Sequence, residues 1–451
     1  MDRRSFLSGA LGVAALAPSA AHAESTPATL RGTLDANAEG LIPGSESDQG
    51  PILQRLLNAA AKEDRPVFLS PGRYLVSNIV LPARTRLAGI AGATRLVFAG
   101  EGHMISGENA DIVELNGLTI DGGSKPLADY VPGLVFVARS RGVSIENCEI
   151  RASTKAGLAI DRSAGRIHRI TVAGAREAGI RAIEAAGLSI ADNVVADCGN
   201  GGILVWRWSQ GDDGTIVTGN RIERIAASDG GTGENGNGIN IFRANGVIVS
   251  NNRIADCAFT AVRANSADNV QIIANNCRNS GEVGIYAEFG FAGAIVASNI
   301  VDRAATGISI ANFREGGHLA VVANNIVRDL TGTGPYESDA PGFGIGIAVE
   351  ADVAATGNVI DGAPLYGMML GWGPYLRDVA ATGNVIRRAP IGFAVTVADG
   401  AGSAVISDNL ISGAERGAVV GMRWADPASG DLARTGATEF PNLMVERNRV
   451  S

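Results

Sequence analysis

The chain is predicted to fold as an all-β parallel solenoid of roughly a dozen stacked coils. Three observations predict it. First, the phrase Asp-Val-Ala-Ala-Thr-Gly-Asn-Val-Ile runs from Asp352 to Ile360 and again from Asp378 to Ile386, 26 residues later. Each copy is a short alternating run, a Gly-Asn turn and a second short run. A glycine then opens a third, Gly367-Met-Met-Leu in one case and Gly392-Phe-Ala-Val in the other. Second, asparagine recurs in one register at Asn193, Asn220, Asn252, Asn275, Asn299, Asn325, Asn358, Asn384, Asn409 and Asn448. Each has a small or apolar residue three positions before it and an apolar one two after, as in Ile190/Asn193/Val195. Third, glycine is 60 of 451 residues, about twice ordinary usage, whereas aromatics are only 5%. Stacked at about 4.8 Å per coil, the amides of such asparagines can bond into a ladder, in turns whose left-handed backbone asparagine tolerates. Cys148, between Ile145 and Ile150, continues the register toward the N-terminus.

Taken in order, residues 1–23 read as an export leader. Arg3 and Arg4, followed by Ser5-Phe6-Leu7, resemble the twin-arginine motif. An apolar stretch to about Pro18 follows, and Ala21-His22-Ala23 offers a small-x-small cleavage site. The apolar run is too short for a permanent membrane span. The twin-arginine translocase is therefore an expected transient partner, and the mature protein is expected in the periplasm or outside the cell.

Residues 24–47 read as a linker, and 48–110 as a cap helix and entry coils. Ile52, Leu53, Leu56, Leu57, Ala60 and Ala61 share one helical face, with Pro51 in the first turn. A single amphipathic helix ahead of a solenoid most simply closes the end of its core. Residues 111–451 are the regular coils.

The entry runs through a helix, a strand holding Pro71-Gly72-Arg73-Tyr74, then Leu81-Pro82 and a strand ending in a Gly-rich turn. It resembles the entry of pectate-lyase-like right-handed parallel β-helices. With the leader and the asparagine turns, the whole chain resembles a family of twin-arginine-translocated repeat proteins, whose motifs specify a fold and not a reaction. The resemblance implies a right-handed helix whose glycine-led strands form the sheet that carries substrate.

Two loops ahead of that sheet are long: Ala226 to Asn237, with Asp229 and Glu234, and Leu330 to Phe343, with Tyr336, Glu337 and Asp339. A third insertion, Met422 to Pro441, precedes the last coil, and either it or another subunit is expected to cover that end.

Several chemistries drop out. A formal charge of −8 and a pI near 5.2 argue against nucleic acid. Cys148, Cys198, Cys257 and Cys277 form no Cys-x-x-Cys pair. Cys198 and Cys257 are two coils apart, so buried free thiols are expected. His103, His168 and His318 sit in no ligand spacing and are expected at surface or turn positions. Gly211-Asp212-Asp213 is similar to the paired aspartates of polygalacturonases, but the Asn-Thr-Asp and His-Gly of that family are missing. The pair is read as a solvated turn.

In Gly-Ile-x-Ile strands the apolar residues point inward, so the intervening residue and the one after it face out. On this reading the glycine-led sheet presents Arg181, Trp206, Arg207, Trp208, Asn240, Phe242, Arg243, Arg263, Asn265, Tyr286, Glu288, Ser309, Asn312, Arg314, Glu350, Trp372 and Tyr375. Aromatics and arginines on one face suggest sugar stacking and anion pairing, although long side chains can also simply cover a sheet edge. The five arginines are expected to form a stripe for an anionic, uronate-like polysaccharide. For β-elimination Arg263 is the candidate base and Glu288 its carboxylate partner. Arg181, Trp206, Arg207, Trp208, Asn240, Arg243, Tyr286, Arg314 and Glu350 are the substrate-binding candidates. No metal is assigned and no cofactor motif is evident; Ca²⁺ is admitted only as a partner of Glu288. Glycoside hydrolysis is the second choice of reaction, and the alternative to an enzyme is a non-catalytic glycan- or protein-binding solenoid.

Overall fold

The computed structural model describes residues 32–231 and 233–451; Arg3, Arg4 and the rest of the expected leader lie outside them. The described chain is a right-handed parallel β-solenoid of about 13 turns. Its three sheets have 16, 15 and 15 strands, and consecutive coils add one strand to each. Neighbouring strands are parallel except in one C-terminal hairpin. One sheet precedes the asparagine turn, one follows it, and the third is the glycine-led sheet.

Branched aliphatic residues fill the interior because period-2 alternation sends every second side chain inward on all three sheets. Ile180, Ile190 and Val195, one from each sheet, are fully buried. Glycine opens the third strand because the backbone there turns in against the opposite wall. A Cβ on Gly157 would lie 2.4 Å from Val172 Cγ1, and one on Gly284 would lie 2.4 Å from Val301 Cγ1. The four cysteines are buried and free. Ile225 separates Cys198 from Cys257, which are two coils apart as expected.

All ten asparagines form one continuous ladder. From Asn193 to Asn409 each Nδ2 donates to the Oδ1 of the next, at 2.9 Å from Asn193 to Asn220 and 3.0 Å from Asn358 to Asn384. The same Oδ1 accepts the preceding asparagine's backbone N–H, at 3.0 Å from Asn358 N. The second amide hydrogen reaches a carbonyl one coil back, as from Asn358 to Val322 O at 3.0 Å. These buried amides are therefore saturated, which removes the penalty of burying them. Toward the N-terminus the slot passes to Ile170 and Cys148, and the ladder ends with the Ile170 N–H on Asn193 Oδ1 at 3.0 Å. One expectation needs correction. The left-handed residue of each turn is the one before the asparagine, such as Asp192, Ala274, Gly357 or Gly383. The asparagines are held by their amide bonds and not by a tolerance for positive φ.

The N-terminal helix spans Gly50–Lys62, with Leu53, Leu56, Leu57 and Ala60 buried in the main core. Part of the segment expected as a linker is instead built into the fold. Leu34–Asp35 pairs with Val67–Phe68, Ala36 and Leu41 are buried, and the Gln49 side chain brackets the Ile42 backbone at 2.7 and 2.9 Å. At the other end the third insertion folds onto the last glycine-led strand. Gly417–Arg423 pairs antiparallel with Asp426–Asp431, and a short helix, Leu432–Thr435, buries Leu432 against the core.

Candidate functional site

Two long loops converge on one point of the glycine-led sheet. In register along its outer face lie Arg181, Leu204, Asn240, Arg263, Tyr286, Ser309, Ala348 and Met369, one per coil. Arg263 is the hub. Its Nε donates to Glu288 Oε1 at 2.5 Å and its Nη1 to the Gly233 carbonyl at 2.6 Å, in the first long loop. Nη1 is also 3.7 Å from Glu282 Oε2. Asn265 Nδ2 donates to the same Glu288 oxygen at 2.9 Å, and the Arg263 guanidinium lies over the Tyr286 ring.

Glu282 ties in the second loop. Its Oε1 accepts the Tyr336 hydroxyl at 2.7 Å and its Oε2 accepts the Thr260 hydroxyl, also at 2.7 Å. The Tyr336 ring stacks on Phe259 and meets Phe343 edge-on. The two glutamate side chains are 3% exposed and the arginine 11%, whereas Tyr336 is 40% exposed and forms the solvent side of the cluster.

Burial alone would lower the Arg263 pKa. The Glu288 and Glu282 carboxylates outweigh it, and the guanidinium ends above its ordinary value. Burial pushes Glu288 up against the pull of Arg263. Burial also raises the phenols of Tyr336 and Tyr286, helped by the nearby carboxylates. This corrects the expectation of Arg263 as a base. A guanidinium between two carboxylates holds its proton more tightly, and its charge suits the stabilisation of a negative one.

The five arginines do not form a stripe. Arg181 is three coils from Arg263 in the same row, with Leu204 and Asn240 between them. Arg207 folds back onto Glu184 at 2.7 Å, with Asp213 at 3.8 Å. Arg243 lies over Phe242 and donates to the Trp208 carbonyl, and Arg314 is exposed on the turn Phe313–Glu315. Asn240 is buried, with Nδ2 3.4 Å from the Glu234 carbonyl, so it supports the loop from below. Trp206 meets Phe242 edge-on, while Trp208 is exposed. Glu350 accepts the Phe313 N–H at 2.6 Å, and burial raises its carboxyl to about 7.

Glu282 and Tyr336 are the members that sequence reasoning left out of the site. Tyr336 was visible only as part of a long loop. Glu282 stands in the slot held by Phe259 and Ala305 in adjacent coils, and a charge there is the signal that could have found it. Two further readings are corrected. Asp213 is not solvated: it is buried and accepts the Thr215 N–H at 3.2 Å. His103 is buried too, its Nδ1 2.9 Å from the Tyr130 hydroxyl, and burial lowers its pKa. Among the described residues no three His, Cys, Asp or Glu side chains gather as a metal site would need, and no helix is long and apolar enough to cross a membrane.

Fold and site together define a parallel β-helix with a loop-covered, charged cluster on the outside of one sheet. The chain belongs to the right-handed β-helix region family, which it matches over residues 97–222 and 208–386. No curated relative matches it in sequence. Among solved structures it is similar to the A-module of mannuronan C-5 epimerase AlgE6 from Azotobacter vinelandii, at 16% identity and a TM-score of 0.52. That match covers 72% of this chain and 98% of the module. It is also similar to the pre-mature gene product 12 of bacteriophage phi29, at 14% identity and a TM-score of 0.52 over 86% of this chain and 54% of that one. At these identities the likeness is one of fold.

Proposed function

We propose that the protein acts on an anionic, uronate-like polysaccharide laid along the glycine-led sheet, and that it does so by β-elimination. The observation that carries this is the Arg263–Glu282–Tyr336 arrangement, a buried cation and a proton-accepting carboxylate joined to a half-exposed phenol. The similar epimerase module supports the substrate class, since mannuronan is a polyuronate and its C-5 is the carbon next to the carboxylate.

Arg263, steadied by Glu288 and Asn265, would hold the uronate carboxylate and offset the charge that builds as C5 loses its proton. Tyr336 alone is a poor base because its phenol is raised. Glu282 accepts at 2.7 Å, so Tyr336 can take the C5 proton while passing its own to Glu282. The C5–H electrons form the C4–C5 double bond as the C4–O4 bond breaks. Tyr336 then protonates O4 and recovers its proton from Glu282. Glu288 anchors the guanidinium from the other side by accepting its Nε–H at 2.5 Å.

The test is incubation with polymannuronate, polygalacturonate and a neutral glucan, with and without Ca²⁺, read by absorbance of unsaturated products. Exchange of the C5 proton in D₂O without chain cleavage would replace elimination by epimerisation. Binding without either would favour the non-catalytic solenoid, a reading favoured by the pairing of Arg263 Nε with Glu288 and of Nη1 with the Gly233 carbonyl. We further propose that residues 1–23 direct twin-arginine export, which places the mature protein in the periplasm or outside the cell.

A further inference from the structure

The chain is poor in aromatic residues, yet it lines one edge of one sheet with them. Of its four tryptophans, Trp206 and Trp208 lie in the second half of the glycine-led strand Gly201–Asp212, and Trp372 and Trp424 lie just beyond the C-terminal ends of Tyr366–Leu370 and Gly417–Arg423. Phe242, Phe289 and Phe313 occupy the same edge in coils between them. Apart from Val80 on the entry strand Ile79–Val80, the exposed aliphatic residues of the strands segregate elsewhere. Val194, Ile326, Val359 and Leu410 are on the sheet after the asparagine turn, and Ile216, Ile295 and Val321 are on the sheet before it. A solenoid that only needed to cover apolar surface would show no such partition.

The aromatic edge is also held in place. Trp208 stands on a four-residue bulge between the paired positions Trp206/Phe242 and Gly211/Ala244, and its backbone N–H donates to Glu184 Oε1 at 2.8 Å. Trp424 sits at the tip of the C-terminal hairpin with φ +55°, a backbone region that a bulky side chain rarely enters. Its ring meets Trp372 edge-on, with centroids 5.5 Å apart, and covers Gly373, where a Cβ would be 2.4 Å from the ring. The Trp372 turn is itself closed by paired bonds with Tyr375 and by the Thr396 hydroxyl on the Gly373 carbonyl at 2.7 Å. Trp208 and Trp424 nonetheless leave 56% and 49% of their surface to solvent.

We propose that this edge is an extended polysaccharide-binding ledge, on which sugar rings stack from Trp208 past the Arg263 cluster to Trp424. Flat, pre-ordered aromatic faces recognise the C–H faces of pyranose rings at little entropic cost, whereas aliphatic stripes do not select them. Eight coil steps separate the strands of Trp208 and Trp424, about 38 Å at 4.8 Å per step. The ligand that fills the ledge is therefore a polymer several sugars long, and it passes the Glu288 end of the Arg263 cluster, where strand Val283–Glu288 closes. The position of the reaction rests on the functional reading above; the ledge itself does not.

Because all four tryptophans are in the ledge, their fluorescence reports its occupancy directly. The experiment titrates the mature protein, Trp208→Ala, Trp424→Ala and the double variant with polymannuronate, polygalacturonate and a graded series of their oligosaccharides. Turnover is measured in parallel, and circular dichroism checks that each variant folds. Expected are a fluorescence change on polymer binding, affinity that rises with chain length, and an approximately tenfold loss in each single variant. The shortest oligosaccharides should feel one substitution and not the other. Unaltered polymer affinity in the folded double variant would overturn the ledge even if turnover persists. Absence of binding to every polymer would overturn it as well. Fluorescence change without product would leave the ledge standing and remove the elimination reaction instead.

Discussion

The Tyr336 hydroxyl donates to Glu282 Oε1 at 2.7 Å across 54 residues of sequence, joining a loop to a strand two coils away from that loop's own strand. This one bond docks the second long loop on the Arg263 cluster and supplies the only half-exposed proton donor among the cluster's named charged and phenolic members.

Tyr336→Phe should keep the stacking on Phe259 and remove the proton path. Elimination on the best polyuronate is expected to fall by about 10²-fold or more, with little change in melting temperature. Wild-type turnover in this variant would exclude Tyr336 from the chemistry.

Arg263→Ala strips a buried cation from two carboxylates and releases the Gly233 carbonyl. Removing one partner of such a buried pair costs about 3–5 kcal/mol, so the variant should unfold at clearly lower denaturant. Arg263→Lys should recover part of the stability but little of the activity, because an ammonium cannot bridge Glu288, Gly233 and Glu282 together. Equal stability of the alanine variant and the parent would show the network to be idle.

In the ladder, Asn358→Ala orphans two donors of Asn325 and removes one of the two bonds that Asn384 Oδ1 accepts. A loss of about 1–3 kcal/mol is expected from the buried groups left unpaired, for Asn384→Ala as for Asn358→Ala. Backbone strain contributes nothing, since neither asparagine is left-handed. The contrast is Gly357, at φ +66°, where alanine should add a strain penalty that Asn358→Ala lacks. Chemical denaturation of the three variants checks both statements.

Glu350 should make stability depend on pH. Burial raises its carboxyl from 4.5 to about 7 in the folded state, so the folded protein binds the proton more tightly than the unfolded chain does. The resulting stabilisation is fully present below about 4.5, declines as pH rises, and is gone above about 7. Glu350→Gln should flatten that part of the stability profile. An unchanged slope between these pH values would assign it to other groups.

For export, replacing Arg3 and Arg4 with lysine should leave precursor in the cytoplasm. Unaffected export would point to the general secretory route.

The solenoid, its register and its ladder were legible in the sequence because each is a nearest-neighbour property repeated many times. A period-2 pattern and a recurring asparagine say which residue stacks on which, and all ten asparagines stack accordingly. Placing Arg263 and Glu288 together followed from the same register, one coil apart. The tertiary structure alone decided what the non-repeating parts do. No periodicity brings Tyr336 to Glu282 or Gly233 to Arg263, because loop docking depends on the shape of the whole face. Nor could alternation foresee that Arg207 would turn back onto Glu184, since a long flexible side chain takes whichever carboxylate is nearest in space. The repeat determined where each side chain starts, and the loops and charges around it decided where each one ends.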